Sequence, residues 1–150
     1  MIVKEYQLEK VIDTKKQFLS FLIYGPNEGL IKDQIEKITQ SYLSNEGYEQ
    51  INFNGKDLDN DPQALENILR TVSMFYKGKI VVADSIKDKH LSIIENVFLK
   101  LPQHVLLILR DNNLNKSSKI RKFFENSKIC FSLACYEDDQ RGLIKSIDEF

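Results

Sequence analysis

Two unbroken apolar runs, Ile80-Val81-Val82-Ala83 and Val105-Leu106-Leu107-Ile108-Leu109, restrict what this chain can become. Neither alternates with polar residues, so a strand built from either is apolar on both sides and must be covered on both faces. Strand-like and helical patterns alternate around them. Phe18–Tyr24 reads as the first strand, and Ile31, Ile35, Ile38 and Tyr42 then recur at helical spacing, with Leu43 beside them, until Asn45-Glu46-Gly47. Gln50–Asn54 alternates as a short strand, and Gly55 to Asn60 is a polar loop. Asp61-Pro62 starts a helix, with Asp as N-cap and Pro at the first helical position, and Leu65, Ile68, Leu69 and Val72 form its apolar face. Lys77-Gly78-Lys79 turns the chain into the Ile80 strand. Leu91, Ile94, Val97, Phe98 and Leu101 give a further helix, closed by Pro102. Ser117 or a neighbour caps a basic helix carrying Ile120, Phe123 and Phe124, and Ile129 to Leu133 is the fifth strand. Such alternation predicts an α/β fold: a doubly wound, mostly parallel five-stranded sheet with helices on both faces and the two apolar runs at its centre. Strand order is open at this point.

Bulk properties narrow the function. With 150 residues, 42% of them hydrophobic, the chain can bury the core of one domain. A net charge of −1 gives no overall attraction to nucleic acid or to an anionic membrane. Met1-Ile2-Val3-Lys4-Glu5 lacks the apolar stretch of a secretory signal, and no run approaches the roughly 20 residues that span a bilayer. A soluble, cytoplasmic protein with no membrane partner is expected. Cys130 and Cys135, spaced C-x4-C, fall short of the four ligands of structural zinc, and His90 and His104 lie far from them in sequence. Two ordinary reduced cysteines and no metal are expected. Neither histidine adjoins a Ser, Cys or carboxylate in a nucleophilic arrangement, so no catalytic residue is assigned.

Tyr24-Gly25-Pro26-Asn27-Glu28-Gly29-Leu30-Ile31-Lys32 stands where a phosphate-binding loop belongs, after a strand and before a helix. A working loop reads G-x-x-x-x-G-K-[ST], which supplies backbone N–H groups, a cation and a Mg²⁺-holding hydroxyl. Counted from Gly25, those last three positions hold Leu30, Ile31 and Lys32. Two branched apolar side chains replace the close backbone approach and the cation, so the loop is degenerate and no nucleotide cofactor is expected. After the Ile80 strand comes Asp84-Ser85, where an ATPase would have Asp on Mg²⁺ and usually Glu next to it; Asp84 reads as a turn or capping residue. Arg110-Asp111-Asn112 is a polar loop at the carboxyl end of the next strand.

Ser73-Met74-Phe75-Tyr76 follows the helix begun at Asp61-Pro62. If that helix continues, Met74, Phe75 and Tyr76 fan over about 200°, because successive residues turn about 100°. They cannot all face one core, and at least one large apolar group is expected in solvent, as a hot spot for a partner. The competing reading has Phe75 plugging the sheet edge and Met74 filling a gap.

Taken in order, Phe21-Leu22-Ile23-Tyr24-Gly25-Pro26-Asn27-Glu28 before Leu30-Ile31, Val72-Ser73-Met74-Phe75, Lys79-Ile80-Val81-Val82, Leu106-Leu107-Ile108-Leu109-Arg110, Asn113-Leu114-Asn115-Lys116-Ser117-Ser118-Lys119 and Cys135-Tyr136 give a resemblance over nearly the whole chain. It resembles the N-terminal domain of the delta subunit of the bacterial DNA polymerase III clamp loader. The resemblance implies an AAA+-like fold that does not itself bind ATP, and binding to the ring-shaped sliding clamp (the beta subunit) to help open one interface. It implies that the contact is a hydrophobic pair, usually Leu-Phe after a small polar residue, at the end of the equivalent helix. That pair falls on Met74 and Phe75, with Ser73 before them, Val72 in the preceding turn, and Tyr76 and Lys77 at the rim. Met instead of Leu at 74 conserves volume and should be tolerated. ATP hydrolysis would belong to other subunits, which the family meets through a collar domain absent from these residues, and DNA would be reached only through the complex.

Residues 1–138 are expected to form the AAA+-like domain, and 139–150, with Leu143, Ile144 and Ile147 after Asp138-Asp139, the start of a truncated lid domain or a terminal helix. Three other readings compete with this one. An active AAA+ ATPase conflicts with the degenerate loop. A phospho-receiver domain needs paired carboxylates after the first strand, where Tyr24-Gly25 stands. Direct DNA contact would use Lys116, Lys119, Arg121 and Lys122.

Overall fold

The two apolar runs become adjacent strands deep in one sheet, β4 (Gly78–Asp84) and β5 (Val105–Asp111). In this computed structural model, residues 2–7, 20–45, 47–71, 74–99, 101, 104–112, 117–127 and 130–136 are described. Their other strands are β1 (Ile2–Val3), β2 (Ser20–Tyr24), β3 (Tyr48–Asn54) and β6 (Cys130–Ala134). The helices are α1 (Glu28–Asn45), α2 (Ala64–Arg70), α3 (Leu91–Leu99) and α4 (Lys119–Asn126). The six strands run in the order β1-β6-β2-β5-β4-β3, and every pairing is parallel.

Alternate residues along each strand serve opposite faces. Phe21, Ile23, Ile80, Val82, Leu106 and Ile108 pack with Ile31, Ile35 and Ile38 of α1 on one side. Leu22, Val81, Ala83, Leu107 and Leu109 pack on the other with Leu65 and Leu69 of α2, Ile94 and Val97 of α3, and Ile120 and Phe124 of α4. The doubly wound arrangement is therefore as expected, with helices on both faces.

Three details differ from the sequence reading. A sixth strand is present, because Ile2 and Val3 pair with Ser132 and Leu133 of β6; two residues carry no periodicity from which a strand could be read. The second helix starts at Ala64, not at Pro62. The N-cap is therefore Gln63, whose side chain makes no capping bond, and Asp61 instead shapes the turn ahead of the helix, its Oδ1 accepting from the Gln63 N–H at 3.1 Å and its carbonyl from the Ala64 N–H at 3.0 Å. That helix also ends at Arg70, so the Met74-Phe75-Tyr76 segment is a bent loop and not a continuing helix. Thr71 leaves the helix with extended backbone (φ −66, ψ 124), while its Oγ1 donates to the Asn67 carbonyl at 2.7 Å. The expected lid segment or terminal helix at 139–150 lies outside the described residues.

Because all strands run one way, the sheet has a carboxyl edge and an amino edge. The turn after β2, Asp84-Ser85 and Asp111-Asn112 lie at the first; Gly47, Thr71, residues 74–77 and His104 lie at the second.

Candidate partner-binding site

At the carboxyl edge the degenerate loop spends its polar groups on the protein itself. Asn27 Oδ1 accepts from the Leu30 N–H at 3.0 Å and its carbonyl from the Ile31 N–H at 3.0 Å, capping the amino end of α1. Its Nδ2 donates to the Tyr136 carbonyl at 3.1 Å, and the Cys135 N–H donates to the Tyr24 carbonyl at 2.6 Å. Gly25 adopts φ +135, and a Cβ there would overlap the Cys135 carbonyl. The loop therefore closes onto the residues after β6. Ile31 is fully buried, Leu30 packs against the same core cluster, and Lys32 is exposed one turn position too late to serve as the loop's cation.

Beside it lies a cleft of about 590 Å³ lined by Glu28, Asp84, Ser85, Lys87, Arg110, Asp111 and Asn112. Its cations are committed: Arg110 pairs with Glu28, and Lys87 Nζ meets Asp111 Oδ2 at 2.9 Å. Three carboxylates (Glu28, Asp84, Asp111) against two cations (Lys87, Arg110) leave the lining one charge negative, which opposes a polyphosphate. Asp84 ends β4 exposed, and Ser85 then turns with φ +57, in keeping with Asp84 as a turn residue. Among the described residues no group of three or more His, Cys, Asp or Glu is arranged to hold a metal.

The amino edge carries the opposite chemistry. Met74 is 95% exposed and Phe75 92%, and Tyr76 is half-exposed. Side chains of this size in solvent, neighbouring one another, form an apolar projection. The ends of the loop are held firmly. Lys79 is buried in β4, and its Nζ donates to the Ile68 carbonyl at 2.7 Å and to the Thr71 carbonyl. These carbonyls lie in the last turn of α2 and just beyond it, where unpaired oxygens and the negative end of the helix dipole favour a cation. On the other side the Lys77 N–H donates to the Gly47 carbonyl at 3.0 Å and the Lys79 N–H to the His104 carbonyl at 2.9 Å. Gly78 lies so close to the His104 carbonyl and the Tyr48 ring that a Cβ would overlap both. Val72 and Ser73, predicted to belong to this site, lie outside the described residues.

The other residues singled out from sequence have local structural roles. His90 is buried; its Nδ1 accepts from the Lys87 N–H at 3.0 Å, so the proton sits on Nε2, which donates to Asp59 Oδ1 at 3.0 Å. That contact, followed by the one from Lys89, holds the Asp59 carboxyl below its usual range. Cys130 and Cys135 are buried thiols, and burial pushes the Cys130 thiol up. Arg121 of the basic helix bonds Glu125 at 3.2 Å and lies 4.8 Å from the centre of the Tyr24 ring. Burial raises the Tyr24 phenol to about 12 despite that neighbouring cation. Lys119 and Lys122 are exposed, and Lys116 lies outside the described residues. No helix among the described residues is long and apolar enough to cross a membrane.

Asn27, Lys79 and the Glu28–Arg110 pair were not singled out from sequence. Asn27 directly before a helical pattern is a cap signal that could have been used. Lys79 has a fainter one, a lysine directly before the apolar run Ile80–Ala83, which must find partners if buried.

A sequence model of the family described as DNA polymerase III, delta subunit, matches residues 21–134. Over 132 residues the chain is 27% identical to a probable DNA polymerase III subunit delta of Rickettsia prowazekii (strain Madrid E), an alignment covering 85% of this chain and 38% of that one. Among solved structures, the Bacillus subtilis DNA clamp loader delta protein superposes with a TM-score of 0.60 at 16% identity, covering 88% of this chain and 42% of the other. The chain thus spans about two fifths of the length of these relatives.

Proposed function

Because this chain belongs to the DNA polymerase III delta subunit family, we propose that it is the clamp-binding part of a clamp-loader delta subunit. Met74 and Phe75 enter an apolar pocket on the sliding clamp, Tyr76 and Lys77 sit at the rim, and Val72 and Ser73 complete the motif. The observation that carries this reading is the near-complete exposure of two large apolar side chains on a loop whose ends are fixed. Burying a Met or a Phe is worth about 1.5–3 kcal/mol each, so the pair can supply a binding hot spot without a large interface.

The mechanism is mechanical. A pocket that receives Met74 and Phe75 better when the clamp interface is distorted shifts the ring toward opening, by no more than the difference in affinity between its two states. The chain itself is not an enzyme in this reading. ATP turnover falls to other loader subunits, which are its further partners, and DNA is met through the assembled complex. The ion-paired, net-negative cleft at the carboxyl edge supports that division of labour.

Pull-down by purified sliding clamp tests the assignment. The parent chain should be retained, and a Met74→Ala/Phe75→Ala variant should be lost. Equal retention of the two removes Met74 and Phe75 from the contact. A clamp whose own interface is weakened by mutation should bind the parent more tightly than the closed ring; equal affinity would leave binding without a ring-opening role.

A further inference from the structure

We propose that Lys79 is a positioning residue for the apolar pair, holding Thr71 at one end and so fixing where Met74 and Phe75 stand before any partner arrives. The inference rests on the clamp-binding reading and adds a residue that touches no partner. Lys79 is 5% exposed, and its ammonium group is spent on main-chain carbonyls at one end of the loop. A buried cation is costly unless fully engaged, and a plain apolar residue could fill this strand position as its neighbours Ile80 and Val81 do. What the lysine adds is geometry. It ties the Ile68 and Thr71 carbonyls together, three residues before Met74, from a strand whose backbone is itself anchored to His104. The loop's other end is fixed by the Lys77 N–H on the Gly47 carbonyl. Met74 stands three residues beyond Thr71 and Tyr76 directly precedes Lys77, so fixing both ends restricts where Met74 and Phe75 stand. A loop already ordered in its binding form avoids the entropy cost of ordering it on contact.

Lys79→Met tests this, because it keeps the length of the side chain and removes the charge and the donors. Two measurements are made on the same protein: amide hydrogen exchange across 71–77 without any partner, and affinity for purified sliding clamp. The expected result is faster exchange in the loop, including the Lys77 amide, with exchange in β4 and β5 unchanged. Clamp affinity should fall by about tenfold, and Lys79→Arg, which retains a cation, should recover part of both. Unchanged loop exchange overturns the inference while leaving the clamp reading intact. A lowered melting temperature with full affinity in the folded fraction also overturns it, since that is what a merely structural lysine would give. Failure of the parent to bind clamp overturns the functional reading instead, and the exchange data then judge the loop alone. Should Lys79→Met not fold, Lys79→Gln, which keeps a donor but not the reach, takes its place with the same criteria.

Discussion

Replacing Phe75 by alanine and, separately, Phe124 by alanine compares one residue type in two settings, displayed and packed. Phe75 is 92% exposed and Phe124 0%. Full burial of a phenylalanine is worth about 1.5–3 kcal/mol, and under a tenth of Phe75 is hidden, so Phe75→Ala should cost no more than about 0.3 kcal/mol. Phe124 lies edge-on to Phe98 and Phe123, with ring centres 5.8 Å from each. Deleting its ring leaves a cavity between α3, α4 and the sheet, which should cost about 3–5 kcal/mol. In a chain of this size each kcal/mol moves the melting temperature by about 2–4 °C, giving about 1 °C for Phe75→Ala and roughly 6–20 °C for Phe124→Ala. Urea unfolding followed by circular dichroism provides the free energies, with equal slopes required before midpoints are compared. A loss above about 1 kcal/mol for Phe75→Ala would mean that its ring packs in the fold, and the argument from display would fail. Met74→Ala, at 95% exposure, is held to the same limit.

Two further predictions concern the carboxyl edge. Titration followed by phenolate absorbance should show one tyrosine resisting ionisation until about pH 12, and Tyr24→Phe should abolish that late step. Above about pH 10 the unfolded chain gives up a phenolic proton that the folded chain keeps, so stability should fall as pH rises from there toward the folded value, less so in Tyr24→Phe. Calorimetric titration with Mg-ATP should show no saturable binding in the micromolar range, and a saturable micromolar isotherm would contradict the account of the loop.

The parts of this fold legible in the sequence were those governed by short-range pattern. Continuous apolar runs at Ile80 and Val105 announced strands covered on both faces, and helical spacing in α1, α3 and α4 announced their buried sides. Ile31, which stands where a phosphate-binding loop has its lysine, belongs to the core. What escaped depended on groups distant in the chain. The end of α2 at Arg70 is held by a lysine that arrives from β4, so the helical pattern through Val72 overran it. Likewise α4 takes its cap partly from Asp88, whose Oδ1 accepts from the Ser118 hydroxyl at 3.0 Å and the Ile120 N–H at 3.1 Å. β1 needed β6 beside it to exist at all. A helical fan led to the expectation that at least one of Met74, Phe75 and Tyr76 reaches solvent, with Phe75 at the sheet edge and Met74 in a gap as the competing reading; the structure instead exposes all three on a bent loop.

The most direct measurement is the dissociation constant of purified sliding clamp for the parent chain and for Met74→Ala/Phe75→Ala, both verified as folded. Loss of about 3–6 kcal/mol of apolar burial should weaken binding by at least about a hundredfold. Equal constants for the two proteins, with the variant folded, would contradict the claim that this loop grips the clamp.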